Sequence, residues 1–232
     1  MATLGYWNRK RIPVSRERPT EGASLYFWIW RYHGWDMILL NCFVLLCSLP
    51  VVTAPAAWSA MNRCLYRILD DQPQMLWQAF RETLLAEWKK SLLAAIPMVI
   101  VQVLLILLGG FFQERAVSGW AVLAAWIGQI TLVMAGAYVY AMVPYLALSV
   151  GQCYRNALLL LLACIWRNVL TALLLLALTM GLVLLYPLSM PVFIFFTVPL
   201  YGFSLAFCTY RGIRRFAVEQ AEDPKDGNIT EN

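Results

Sequence analysis

Residues able to do chemistry are few in this chain, and they are scattered. Its one histidine, His33, stands three residues before Asp36, which places both on one helical face. A zinc site needs more ligands than this pair, so the two read as a polar pair near a membrane surface. The acids close to apolar runs are Asp36, Asp70, Asp71 and Glu114. Each has the type of a general base, but Asp70–Asp71 reads more simply as a helix-ending turn. The six cysteines, Cys42, Cys47, Cys64, Cys153, Cys164 and Cys208, form no C-x-x-C pair. Most lie in or beside apolar segments, where a thiol behaves as a small hydrophobe. No P-loop glycine motif, G-x-S-x-G or H-E-x-x-H occurs. An enzyme is therefore not expected, nor is a metal or cofactor, and no nucleic-acid partner is expected.

The elements that carry these residues are membrane helices. The chain has 232 residues, 61% hydrophobic and 13% charged, against a quarter charged in typical soluble domains. Runs such as 92–112 and 168–186 match the roughly 20 apolar residues that cross a bilayer, and none alternates as a barrel strand would. The expected fold is all-α: a polytopic membrane helical bundle with a Pro-bounded N-terminal helical hairpin and four further transmembrane helices. Residues 1–24 are polar and basic and read as a flexible tail. Residues 25–215 form the membrane domain, and 216–232 an acidic disordered tail. Within the domain, Ser24–Arg31 lies along or enters the membrane surface, anchored by its aromatic rings. The hairpin covers 36–69, and the spans cover 92–112, 120–148, 157–186 and 190–210. Pro97 is expected to kink the first span.

The stretch 48–61, SLPVVTAPAAWSAM, decides the topology. Pro50 and Pro55 interrupt the run, Pro55 suits the first turn of a new helix, and Thr53 is placed to cap that turn. Lys and Arg favour the cytoplasmic side. If the chain turns back at the prolines, only Arg115 of the 18 Lys and Arg falls outside; a single crossing would leave many more there. The hairpin is therefore expected, with its tip at the far interface or buried in protein, and both termini cytoplasmic in the plasma membrane.

Helix 74–91 is amphipathic. Trp77, Phe80 and Trp88, with Arg81, Lys89 and Lys90, form a candidate docking face for a membrane surface or for the protein's own cytosolic side. Candidate polar or turn positions are Asn41, Pro50, Thr53, Pro55 and Arg167. Arg167 is expected near the cytosolic interface, with 157–166 as a buried or interfacial helix; the competing reading is an intramembrane arginine that binds an anionic substrate.

The run 40–71, LNCFVLLCSLPVVTAPAAWSAMNRCLYRILDD, resembles the YesL-like family of bacterial membrane proteins, a domain of unknown function. The matching pieces are Asn41, the turn Ser48–Thr53, the small-residue helix Pro55–Tyr66 and the acidic turn Asp70–Asp71. The segments 77–92 and 152–170 are similar more loosely. Ala54 stands where the family pattern has Gly. The resemblance implies a setting beside sugar ABC transporters and glycan-degrading enzymes, and no catalytic residue. The expected function is a non-enzymatic accessory or scaffold protein, linked to carbohydrate uptake, with the lipid bilayer and a sugar ABC transporter as partners. The alternatives are a small solute transporter or channel, with Asn41, Gln102, Gln129, Thr131 and Arg167 along a polar path, and a membrane enzyme acting on lipid or glycan carriers.

Overall fold

The computed structural model describes Pro19 and residues 22–214, apart from 73, 116–118, 147 and 187–189; at 192–194 and 197–199 it describes the backbone alone. The expected tails at 1–24 and 216–232 lie almost wholly outside the described residues. The described elements are helices: α1 (Gly22–Ser48), α2 (Ala54–Leu69), α3 (Leu76–Glu114), α4 (Gly119–Tyr145), α5 (Val150–Ala163), α6 (Ile165–Leu184), α7 (Met190–Thr197) and α8 (Phe203–Ile213). Three of them, α3, α4 and α6, are long and apolar enough to cross a membrane. Among the described residues neither arm of the expected hairpin meets that test, nor does either half of the last expected span. Three helices of spanning length are thus shown among the described residues, and the larger number of crossings expected from the sequence is not.

The packed core surrounds α2, which buries Ala56, Ala57, Ser59, Ala60, Met61, Asn62, Cys64, Leu65 and Tyr66 among others. Its small residues let neighbouring backbones approach closely. Helices α1, α3, α4 and α8 pack on it. The buried residues of α3 run from Ala79 to Met98, and none lies beyond that. In α4, Ala125 is followed by a buried stretch from Met134 to Pro144. The outer halves of α3 and α4 project past the core as a pair, joined by the Gln102–Gln129 hydrogen bond. Most of their side chains face outward, and only 17% of the apolar window of α3 and 11% of that of α6 is buried. A Leu, Ile or Val left in water forgoes about 1.5–3 kcal/mol. So many of them in one zone mark a surface solvated by lipid.

Four boundaries differ from the sequence reading. Residues 74–91 and 92–112 are one helix of 39 residues, about 58 Å long at 1.5 Å per residue. Glu87, Trp88, Lys89, Lys90 and Ser91 contain no helix breaker, so the change from amphipathic to apolar marks a change of surroundings and not a joint. Pro97 lies inside this helix. Next, α1 begins at Gly22 and takes in the aromatic stretch expected along the membrane surface. The expected span 157–186 is two helices with a break at Cys164, in keeping with the separate helix expected over 157–166, although the first of them starts earlier, at Val150. At the break Asn168 Nδ2 donates to Leu161 O at 2.9 Å, satisfying a carbonyl that the end of α5 leaves open. The start of α5 is set by a capping box between Ser149 and Gln152. Finally, the last span is interrupted by a π-helical turn, Val198–Gly202, where Pro199 has no N–H for the regular ladder.

The turns that flank α2 explain its length. Pro55 sits in its first turn, as expected. Thr53, expected to cap α2, makes no cap bond to it; its hydroxyl donates back to Cys47 O and, at 2.8 Å, to Pro50 O. It therefore closes the end of α1. At the other end, Asp71 adopts φ +56°. Asp71 N–H reaches Ile68 O at 3.2 Å and Gln72 N–H reaches Arg67 O at 2.9 Å, a Schellman arrangement with aspartate in the usual glycine seat. The acidic turn thus ends the helix as its sequence suggests.

Candidate functional site

The charged side chains of the core gather at one end of the bundle. Lys90 Nζ donates to Val143 O at 3.1 Å, and Arg63 donates to Pro144 O. These carbonyls lie at the C-terminus of α4, where the helix has no donors left and its dipole favours cations. Tyr66 stacks edge-on against Tyr145 and Tyr210, with ring centroids 5.2 and 5.3 Å apart, and its hydroxyl donates to Thr209 Oγ1 at 2.8 Å. Tyr210 donates to Asp70, and Arg214 donates to the Tyr210 hydroxyl at 2.9 Å and lies 3.9 Å from Asp70. The Tyr210 hydroxyl bond, helped by the Asp70 charge, holds the Arg214 pKa above its ordinary value. Arg167 donates to Cys208 O. Together these contacts bring the C-terminal ends of α2, α4 and α8 and the start of α6 to the level of Lys90 on α3.

Lys90 also serves as a ruler. Between it and Glu114 no residue is charged, an interval of about 35 Å along the helix. That matches a bilayer core of about 30 Å with some tilt. Arg115 caps the far end of the interval. Ser59 of α2 meets Ser91 at 2.9 Å, and Trp58 shares a cleft with Met98, Val99 and Gln102. No residue of α3 beyond Met98 is buried. The Pro50–Pro55 tip therefore lies at the level of the near half of α3, with Pro50, Val51 and Val52 exposed, and it does not accompany α3 to its far end.

The expected docking face is divided by this arrangement. Phe80 is fully buried, and it packs with Trp77 against Phe43 of α1. Lys90 is engaged on α4. Arg81, Trp88 and Lys89 stay exposed, with Lys89 Nζ 5.5 Å from the centre of the Trp88 ring. Of the other named positions, Asn41 is buried in α1, Pro50 is exposed at the tip, and Pro55 and Arg167 are half-buried. Of the polar-path residues the structure brings Gln102 and Gln129 together and places Gln102 and Arg167 in separate clefts. Thr131 bonds back to Ile127 O at 2.8 Å.

The remaining candidates for chemistry are held in structural pairs. His33 Nδ1 lies 3.1 Å from Asp36 Oδ2. Among the described residues no group of three His, Cys, Asp or Glu is placed to hold a metal ion. Burial raises the Cys153 pKa and so favours the thiol over the thiolate nucleophile. Burial also pushes Tyr154 up to about 12, and its hydroxyl donates to Ala94 O.

Sequence reasoning overlooks Tyr138 and Asn168. Tyr138 donates to Asn168 Oδ1 at 2.9 Å, and Cys208 Sγ lies 3.3 Å from the same oxygen. Gly212 permits this closeness, since a Cβ there would meet Tyr138 and Cys164 at 3.3 Å. The signal in the sequence is a polar Asn inside an apolar run, which normally has a partner in a membrane. No protein-family model matches the chain, and no curated protein or solved structure matches it.

Proposed function

We propose that this is a non-enzymatic accessory protein of the plasma membrane. In this reading the basic end faces the cytoplasm, both termini lie on that side, and a protein partner docks on the near segment of α3. The observation that carries it is an exposed stripe outside the charge-free interval. Trp77, Arg81 and Trp88 recur on one helical face, and Leu85 lies close to it. Trp77 is 53% exposed, Leu85 61% and Trp88 46%. Tryptophan and arginine are the residues most enriched where partners bind. The stripe lies within about 20 Å of Lys90 along α3, on the side away from the outer halves of α3 and α4. Membership of the YesL-like family, and with it a role beside a sugar ABC transporter, belongs to the same proposal. Its support is that Ser48–Thr53 and Asp70–Asp71, which carry the resemblance, both sit at helix ends.

The test is photocrosslinking from a probe placed at Leu85 in native membranes, followed by mass spectrometry. A discrete protein adduct that disappears when Trp77 and Trp88 are both changed to Ala is the expected result. Lipid adducts alone, or protein adducts indifferent to both substitutions, would refute the docking role.

A further inference from the structure

A second site lies on the other side of the core, between α6 and α8. The start of α6 and the end of α8 border a cleft of about 190 Å³. Two arginines stand in it, Arg167 and Arg211, and among the described residues its lining contains no carboxylate. Arg167 is fixed by its bond to Cys208 O, and Thr171 donates at 2.9 Å to the Arg167 carbonyl, so the cationic end is held in place. From the arginines the cleft runs along Leu170 and Leu174 of α6 and past Phe207 of α8. Leu170 is 64% exposed and Leu174 54%.

The depth of the cleft matters as much as its lining. Arg167 bonds Cys208, the neighbouring Thr209 bonds Tyr66, and Tyr66 stacks on Tyr145 beside the carbonyls that Lys90 caps. The arginine pair therefore lies at the level where the charge-free interval of α3 begins. Leu170 and Leu174 lie on the helix of spanning length that leaves that level. A cationic mouth at the membrane interface, continued by an exposed apolar wall into the hydrocarbon, has the polarity of one amphiphile. Guanidinium groups match phosphate oxygens in geometry, and basic pockets between membrane helices take acidic lipid headgroups.

We infer that the α6–α8 cleft binds an anionic phospholipid, with its phosphate between Arg167 and Arg211 and an acyl chain along Leu170 and Leu174. The occupant is a membrane lipid and not a soluble phosphate ester, because the apolar wall would be idle for the latter. The site would fasten α6, which the protein itself covers poorly, to α8.

The test uses the full chain in mild detergent, titrated with phosphatidylglycerol or phosphatidylcholine and read by native mass spectrometry. The wild-type protein is expected to retain one phosphatidylglycerol in preference to phosphatidylcholine. Arg211→Gln is expected to reduce that preference about fivefold, one cation near a headgroup being worth about 1 kcal/mol. Arg81→Gln on α3 is expected to leave it unchanged, and excess glycerol phosphate is expected not to compete. Arg167→Gln removes the bond to Cys208 O as well, so the single change at Arg211 is the deciding variant. Equal retention of both lipids overturns the inference. So does an Arg211→Gln protein that binds like wild type, an equal loss in Arg81→Gln, or displacement by glycerol phosphate. The docking proposal for α3 stands or falls separately, since its stripe shares no residue with this cleft.

Discussion

Helix α2 and the outer half of α3 reverse the usual relation between apolarity and burial. The first is short and carries Ser59, Asn62, Arg63 and Arg67, yet it is the centre of the packed core. The second is almost purely aliphatic from Val99 to Leu108, and none of it is buried. In water the order would be the opposite, because burial follows apolar area. In a bilayer the lipid takes the apolar surface, and the core is chosen by shape and by hydrogen bonds. The polar groups of α2 are accordingly satisfied inside the protein. Ser59 bonds Ser91, Asn62 Nδ2 donates to Trp58 O at 3.0 Å, and Tyr66 bonds Thr209.

The largest expected effect comes from truncating matched leucines in the two regions. Leu65→Ala in the core should destabilise by about 2–5 kcal/mol, whereas Leu104→Ala, exposed on α3, should stay within about 0.5 kcal/mol. Reversible unfolding in mixed micelles measures both. Equal costs would mean that the outer half of α3 is packed in the native protein, and the contrast would collapse. Leu104→Arg sharpens the point, because that position lies midway along the charge-free interval. Its insertion should be disfavoured by about 2.5–3.5 kcal/mol at the membrane centre, read as lost membrane integration in a glycosylation-reporter assay.

A smaller effect is expected at the serine pair. Ser91→Ala strands a buried hydroxyl on Ser59 and should cost about 1–2 kcal/mol. The Ser59→Ala, Ser91→Ala double variant should cost less than the sum of the single changes, as a double-mutant cycle would show. Additive costs would mean that the bond contributes nothing to the core. The smallest effect belongs to the helix-end cations. Lys90→Gln should lower stability by about 0.3–1 kcal/mol through the C-terminus of α4. The loss should shrink in high salt if the dipole term dominates and persist if the bonds to Val143 and Leu146 carry it.

Local features are legible in the residues alone. The helical class, the apolar run 92–112, the Pro55 start and the Asp70–Asp71 stop of α2 follow from short-range rules. So does the cap of α5 in principle, since Ser149 and Gln152 spell a capping box, although the stretch reads at first as a polar break. Partnership over distance is not legible in this way. Phe43 meets Trp77 and Phe80 across two helices, and that packing turns Phe80, one residue of the apparent docking face, into core. Thr53 offers its hydroxyl equally well to the helix before it and the helix after it, and only the folded turn selects the former.

Residue order alone is enough to establish that this chain is helical, that it carries runs suited to a bilayer, and where α2 begins and ends, because propensity, capping and hydropathy act over a few residues. Packing in three dimensions settles which helix faces the protein leaves uncovered, that α2 is the centre of the core, and which cations meet at one end. Transfer from water favours an apolar side chain about equally in lipid and in protein, so composition cannot choose between those two surroundings. The fit of Ala57, Ala60 and their neighbours against other backbones can.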